Sequence, residues 1–214
     1  MAAVPVTHFY VFTIFMLTLG PIKVIPAFGA MTRDATRGQV IELAVRGTIQ
    51  ATIIALLIAV VCTSMQEAWG VSLDAIRITG GTLLFMSAAS GQVMQSPAAV
   101  AMPPPLANLD DAAIRRLSFM PISIPVIITP WGVVAIVLFM RLAAGDREAS
   151  IAVLAILVLV MALNFVGMLF ARTIVKFAGI ATFQLVGWIF GILQCGLAVQ
   201  TILIALRNLG VVAR

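Results

Sequence analysis

The chain has 214 residues, of which 62% are hydrophobic and only 10% charged, with a formal net charge of +5 and a mean hydropathy of +1.16. An ordinary soluble domain is about half apolar and about a quarter charged, so this composition excludes a water-facing globular fold and points to lipid. The positive balance comes from scattered arginines and not from a basic patch, which argues against a nucleic-acid partner.

Six stretches are free of charge: Met1–Ile22, Gly47–Gln66, Ile78–Leu109, Leu117–Met140, Ala149–Ala171 and Phe177–Leu206. Each approaches or exceeds the roughly 20 residues a helix needs to cross the hydrocarbon. Continuous Leu, Ile, Val, Ala and Met, without strict alternation, favour helices over a β-barrel. The predicted helices cover about 9–31, 40–63, 72–95, 118–141, 149–171 and 178–206. The expected fold is therefore all-α: a polytopic membrane protein of six transmembrane helices in one membrane domain, 1–214.

The first stretch differs from a signal peptide. It has no basic n-region, and Pro21, Lys23 and Pro26 interrupt its apolar core, so it reads as the first mature span. Within it, Gly20-Pro21 breaks the helix, because proline lacks the N–H that the carbonyl four residues earlier would use. Lys23 lies two residues beyond. An ionisable residue inside a span is costly and a functional candidate by default. The same lysine is also consistent with an ion pair to Asp74, or with snorkelling towards the charged loop at Arg33.

At the start of the third span, Asp74 and Arg77 stand three apart and share a helix face. They read as an interfacial ion pair or as a gate closing around a carboxylate or ammonium. The segment Ser96–Ala113 holds Pro97, Pro103-Pro104-Pro105 and Asp110-Asp111. It reads as a linker (96–113) between a first three-helix repeat, 1–95, and a second, 114–214.

The fourth span carries Pro121, Pro125 and Pro130. Ile128-Thr129-Pro130-Trp131 stands 109 positions after Leu19-Gly20-Pro21-Ile22, and Trp188-Ile189-Phe190-Gly191 stands 111 after Arg77-Ile78-Thr79-Gly80. Matching offsets at both ends imply a repeat, and three spans, being odd, make it inverted. Inverted repeats with paired helix breaks are a transporter design in which the site lies between the halves. Gln50, Asn164, Gln194 and Gln200 are isolated amides in apolar helices, expected to bond between helices. Cys62 and Cys195 lie in different spans and imply no disulfide. The lone His8, and the absence of Cys/His clusters, phosphate loops or catalytic constellations, lead us to expect no metal, no cofactor and no enzyme.

The residues resemble the MarC family of bacterial inner-membrane proteins, also described as neutral amino acid transporters. The first span, Gly20-Pro21-Ile22-Lys23-Val24-Ile25-Pro26-Ala27-Phe28, is similar to the family's Asn-Pro-x-Gly-x-x-Pro-x-Phe. Leu73-Asp74-Ala75-Ile76-Arg77-Ile78-Thr79-Gly80-Gly81 resembles Leu-Asp-Ala-Phe-Arg-Ile-Ala-Gly-Gly. Pro121 to Trp131 resembles Pro-Leu-Ala-Ile-Pro-Leu-Leu-Ala-Gly-Pro-Gly, and Ala198-Val199-Gln200 matches Ala-Val-Gln. The resemblance implies six spans and a role in amino acid movement. The departures are Gly20 for Asn, Lys23 for Gly, Thr129 and Trp131 for the two glycines around Pro130, and Trp188 for Arg.

The candidate substrate-binding residues are thus Gly20, Pro21, Lys23, Asp74, Arg77, Thr129, Pro130, Trp131 and Gln200. Two functions remain: a secondary transporter or exporter of small neutral solutes, or a non-transporting structural subunit of a larger membrane complex. The partners expected are the lipid bilayer, a small neutral solute, and either further copies of the chain or a larger assembly. Arg33, Arg37, Arg46, Arg115, Arg116, Arg172 and Lys176 on one side, against Arg77, Arg141, Arg147, Arg207 and Arg214 on the other, favour both termini in the periplasm.

Overall fold

In the computed structural model, residues 8–93 and 111–212 are described, and they contain helices and turns but no strand. The helices are α1 (His8–Thr18), α2 (Pro21–Met31), α3 (Arg37–Ala68), α4 (Leu73–Val93), α5 (Asp111–Leu117), α6 (Pro130–Leu142), α7 (Arg147–Leu169) and α8 (Ala171–Asn208). Between α5 and α6 runs a wide-turn segment, Ser118–Ile127. The expected linker lies outside the described residues as far as position 110. Its last three residues, Asp111 to Ala113, instead open α5.

Local chemistry sets the helix starts. Thr36 and Gln39 form a reciprocal capping box on α3, with Thr36 N–H donating to Gln39 Oε1 (2.9 Å) and Gln39 N–H to Thr36 Oγ1 (3.4 Å). Asp146 accepts from the amides of Glu148 (2.9 Å) and Ala149 (3.2 Å) at the start of α7. Prolines set the breaks. Pro21 and Pro130 each occupy the first turn of a new helix, where a missing N–H costs nothing. In the wide-turn segment, Met120 and Ile124 are extended, the conformation a following proline favours, and their bonds to Pro121 and Pro125 are cis. Within α8 the helix kinks at Gly179, whose φ of 72° suits only glycine without strain.

Among the described residues, four helical stretches are long and apolar enough to cross a membrane: His8–Met31, Arg37–Gln66, Arg147–Leu169 and Leu185–Asn208. A fifth is gained if Asp111–Ile127 and Pro130–Leu142, which meet at 64°, form one bent span. The third expected span, α4, is not among them. Asp74, Arg77, Thr79, Gly80, Gly81 and Thr82 crowd its first half and dilute its apolar character.

The packing follows a reciprocal pattern. Helix α1 lies on α7, while the 118–127 segment lies on α3. Helix α2 packs on α7 and α8, while α6 packs on α3 and α4. Helix α1 meets α6 as α2 meets the 118–127 segment, and α3 pairs with α7 and α4 with α8. Each of these contacts has a counterpart when the elements before and after the midpoint are exchanged, whereas those of α5 with α3 and with the 118–127 segment have none among the described residues. Phe15, Phe28, Phe139, Leu19, Ile127, Ile136 and Met161 fill the centre. Phe139 takes both Phe15 and Tyr10 edge-on, at ring separations of 5.4 and 5.9 Å, the arrangement favoured by ring quadrupoles.

In lipid, apolar burial between helices gives little net drive, so close packing matters more. Gly81 shows this. A Cβ there would lie 2.5 Å from Ile202 Cγ1 and 2.8 Å from the Ala198 carbonyl oxygen of α8, and backbone cannot yield. Gly81→Ala is expected to lower stability by about 1–3 kcal/mol, read as a lower melting temperature in detergent. Gly196→Ala, where an added Cβ meets nothing within 4 Å, is expected to leave the melt unchanged or slightly raised.

Candidate functional site

The site begins with a backbone problem. The break at Gly20-Pro21 interrupts the hydrogen-bond ladder of the first span. Pro21 has no N–H for the carbonyl of Leu17, and the turn leaves the carbonyls of Thr18 and Leu19 without helical donors as well. Three side chains from distant elements take these places. Gln194 of α8 donates through Nε2 to Leu17 O at 2.7 Å. Thr129 Oγ1, at the start of α6, donates to Thr18 O at 3.0 Å. Asn164 of α7, fully buried, donates through Nδ2 to Leu19 O at 2.8 Å. Freed carbonyls persist inside a membrane only when protein or water meets them.

Thr129 is the hub. It is the N-cap of α6, with its hydroxyl also accepting from Gly132 N–H at 3.3 Å and from Lys23 Nζ at 3.1 Å. One hydroxyl therefore joins the C-terminal end of α1, the first turn of α2 and the first turn of α6. The Lys23 ammonium also stands 6.0 Å from the centre of the Trp131 ring, within cation–π range. Gly20 caps α2 without any side-chain bond. A Cβ at Gly20 would collide with the Met16 carbonyl, so glycine is what this break accepts.

Gly20, Pro21, Lys23, Thr129, Pro130 and Trp131 therefore meet at one crossing. The other three candidates lie elsewhere. Asp74 and Arg77 form the pair their spacing predicts, at 2.8 Å, and Asn208 Nδ2 of α8 donates to the same Asp74 oxygen at 2.9 Å. The Lys23–Asp74 pair, one of the alternatives the sequence left open, is not formed: Asp74 is held by Arg77 of its own helix and Asn208 of α8, and Lys23 reaches Thr129. Gln200 is exposed on α8, while Leu197 and Thr201 beside it turn inward.

A small cavity of about 40 Å³ lies next to the crossing, between α1, α4, α6 and α8. Tyr10, Thr18, Gly80, Gly81, Trp131 and Thr201 are among its walls. It has room for about three water molecules. Asn164 and Gln194 were legible only as isolated amides in apolar helices. That signal marks a hydrogen bond without naming its partner.

The cis-proline segment is held by a different device. Ser123 is fully buried, with Oγ 2.7 Å from Ser118 O and 3.0 Å from Gly47 O of α3. Among the described residues no group of His, Cys, Asp and Glu is arranged to hold a metal.

Apolar helices that break where they meet, with their freed backbone satisfied from within, define an all-helical integral membrane protein. The family described as MarC family integral membrane protein matches residues 6–209, and the chain belongs to that family. It is 27% identical over 150 residues to UPF0056 membrane protein MJ0972 of Methanocaldococcus jannaschii, covering 70% of this chain and 65%, just under two thirds, of that protein. It is 24% identical over 190 residues to UPF0056 membrane protein MJ1677 of the same organism, covering 89% of this chain and 91% of that one. No solved structure matches the chain.

Asn164→Leu and Gln194→Leu strip a buried and a partly buried carbonyl of their donors, and each is expected to cost about 1–3 kcal/mol. Thr129→Val keeps the shape but loses three bonds, and should cost at least as much. Gln200→Leu should stay within about 0.5 kcal/mol of the parent. Thermal unfolding of the purified proteins in one detergent checks all four; indistinguishable melts would show that the capped carbonyls carry no stability.

Proposed function

We propose that the chain is a secondary transporter or exporter of small neutral solutes such as amino acids, working at the crossing where α2 and α6 begin. The reading takes six spans: α1 with α2, then α3, α4, the bent element from Asp111 to Leu142, α7 and α8. They form two inverted three-helix repeats. The reciprocal packing supports this, since exchanging the two halves maps the main pairings of α1, α2, α3 and α4 onto those of the 118–127 segment, α6, α7 and α8. Repeats of this kind can rock against each other around a fixed site.

The observation that carries the reading is the meeting of two proline-broken helices through one buried hydroxyl, with a lysine beside it. Backbone breaks inside a membrane are retained where they line a path or a site. No acidic side chain enters the crossing among the described residues, so coupling through a carboxylate proton relay has no support. The chain performs no covalent chemistry on this reading. It lies in the bacterial inner membrane with both termini in the periplasm, and either self-associates or joins a larger complex.

A second reading, a non-transporting structural subunit, is favoured by one observation. The cavity beside Trp131 is about 40 Å³, too small for an amino acid in this conformation.

Purified protein in liposomes, offered a panel of labelled neutral amino acids, separates the two. The transporter gives saturable flux above empty vesicles for at least one solute, reduced about tenfold or more by Lys23→Met, the loss expected for one charge-assisted hydrogen bond. Absence of flux across the panel, with a stable partner retained on purification, establishes the structural subunit instead. Reporter fusions at each terminus should both report the periplasm; cytoplasmic signals would reverse the orientation.

A further inference from the structure

Lys23 stands in an electrostatic setting that is unfavourable as it is. It occupies the third position of α2, within the first turn of a helix whose N-cap, Gly20, offers no side-chain acceptor. Its ammonium reaches across to Thr129, the N-cap of α6. Helix N-termini carry partial positive charge from unsatisfied N–H groups and favour anions. A protonated Lys23 would place its charge at two of them.

No counter-charge offsets it among the described residues. Asp74 is paired with Arg77 and Glu42 with Arg46, and Asp146 caps α7. None is paired with Lys23. Its recorded neighbours are a neutral hydroxyl and the face of an indole. An ammonium has three donors, and Thr129 takes one. A charge in a low-dielectric interior is retained where a partner completes it.

We propose that Lys23 is the recognition point for a small anionic group, entering between the first turns of α2 and α6 beside Trp131. The inference deepens the transporter reading: the solute is held by a carboxylate, or the point is occupied by free chloride. Both share the chemistry of a compact monovalent anion. Lys23 supplies the charge and Thr129 fixes its position. Trp131 forms the wall.

The test uses the full chain in detergent, carrying Trp69→Phe and Trp188→Phe. These two indoles are exposed and outside the crossing, so the remaining fluorescence reports on Trp131. Acetate, its neutral isostere acetamide, and chloride are titrated separately. A saturable change with acetate or chloride, absent with acetamide, is expected, and the tighter of the two anions identifies the source. Lys23→Met should weaken it about tenfold or more. Lys23→Arg, which keeps the charge, should retain part of it and guards against a Met variant that does not fold. No saturable response to either anion in the parent protein, an equal response to acetamide, or an undiminished response in a folded Lys23→Met variant overturns the proposal. Flux of a neutral amino acid without anion binding would sink this inference and leave the transporter reading standing. Anion binding without any flux would do the reverse.

Discussion

The carbonyls of Leu17, Thr18 and Leu19 are the constraint on which the rest of the molecule depends. In water, a helix break of this kind is inexpensive, because solvent meets the freed oxygens. In hydrocarbon each unmet oxygen costs several kcal/mol. The break at Gly20-Pro21 is therefore tolerable only if other parts of the chain deliver donors to it. They come from α6, α7 and α8, through Thr129, Asn164 and Gln194. The first span is thus completed by elements more than 100 residues away, and the two parts of the chain cannot be separated without exposing it.

The same requirement explains why the crossing is both structural and chemically suggestive. Thr129 satisfies an oxygen of α1, caps α6 and receives Lys23 with a single hydroxyl. A residue saturated in this way has little freedom, so it makes a rigid seat. Around it the packing is close. The α6 glycine Gly132 admits Leu19, Gly47 of α3 faces Ile122, and Gly167 of α7 faces Pro21. Glycines that lie against the broken segments on α3 and α7 let backbone approach backbone, which is how helices associate where lipid removes the usual apolar drive. On the side of α8, Arg172 donates to the carbonyls of Thr32 and Ala35, fixing the start of the last helix to the turn between α2 and α3.

Three departures from the family pattern acquire a physical meaning in this setting. Gly20 stands where a Cβ has no room, so its identity follows from the break itself. Lys23 and Trp131 stand together across the crossing, a cation and a π face, and neither alone suggested the other. The bulky indole fills space that a smaller residue would leave open. The lysine has no acidic partner in either ion pair of the described residues.

Much of the architecture was legible in the chain. Long charge-free runs located most of the helices, although α5 and α8 begin at Asp111 and Ala171 and not at the expected 118 and 178, and Pro21 and Pro130 marked both breaks, because length, charge and proline act locally on a helix in lipid. The residues flanking each break could be named as candidates for the same reason. The amides could not be assigned partners: Asn164 and Gln194 were visible as polar residues in apolar helices, but which carbonyl each meets depends on helix rotation and crossing. The Lys23–Asp74 pair failed for that reason too, since complementary charge says nothing about distance. What the sequence by itself determined was where the backbone breaks, which proline chemistry dictates. What only the tertiary structure decided was how those breaks are satisfied, because a freed carbonyl takes its donor from whichever helix packs against it.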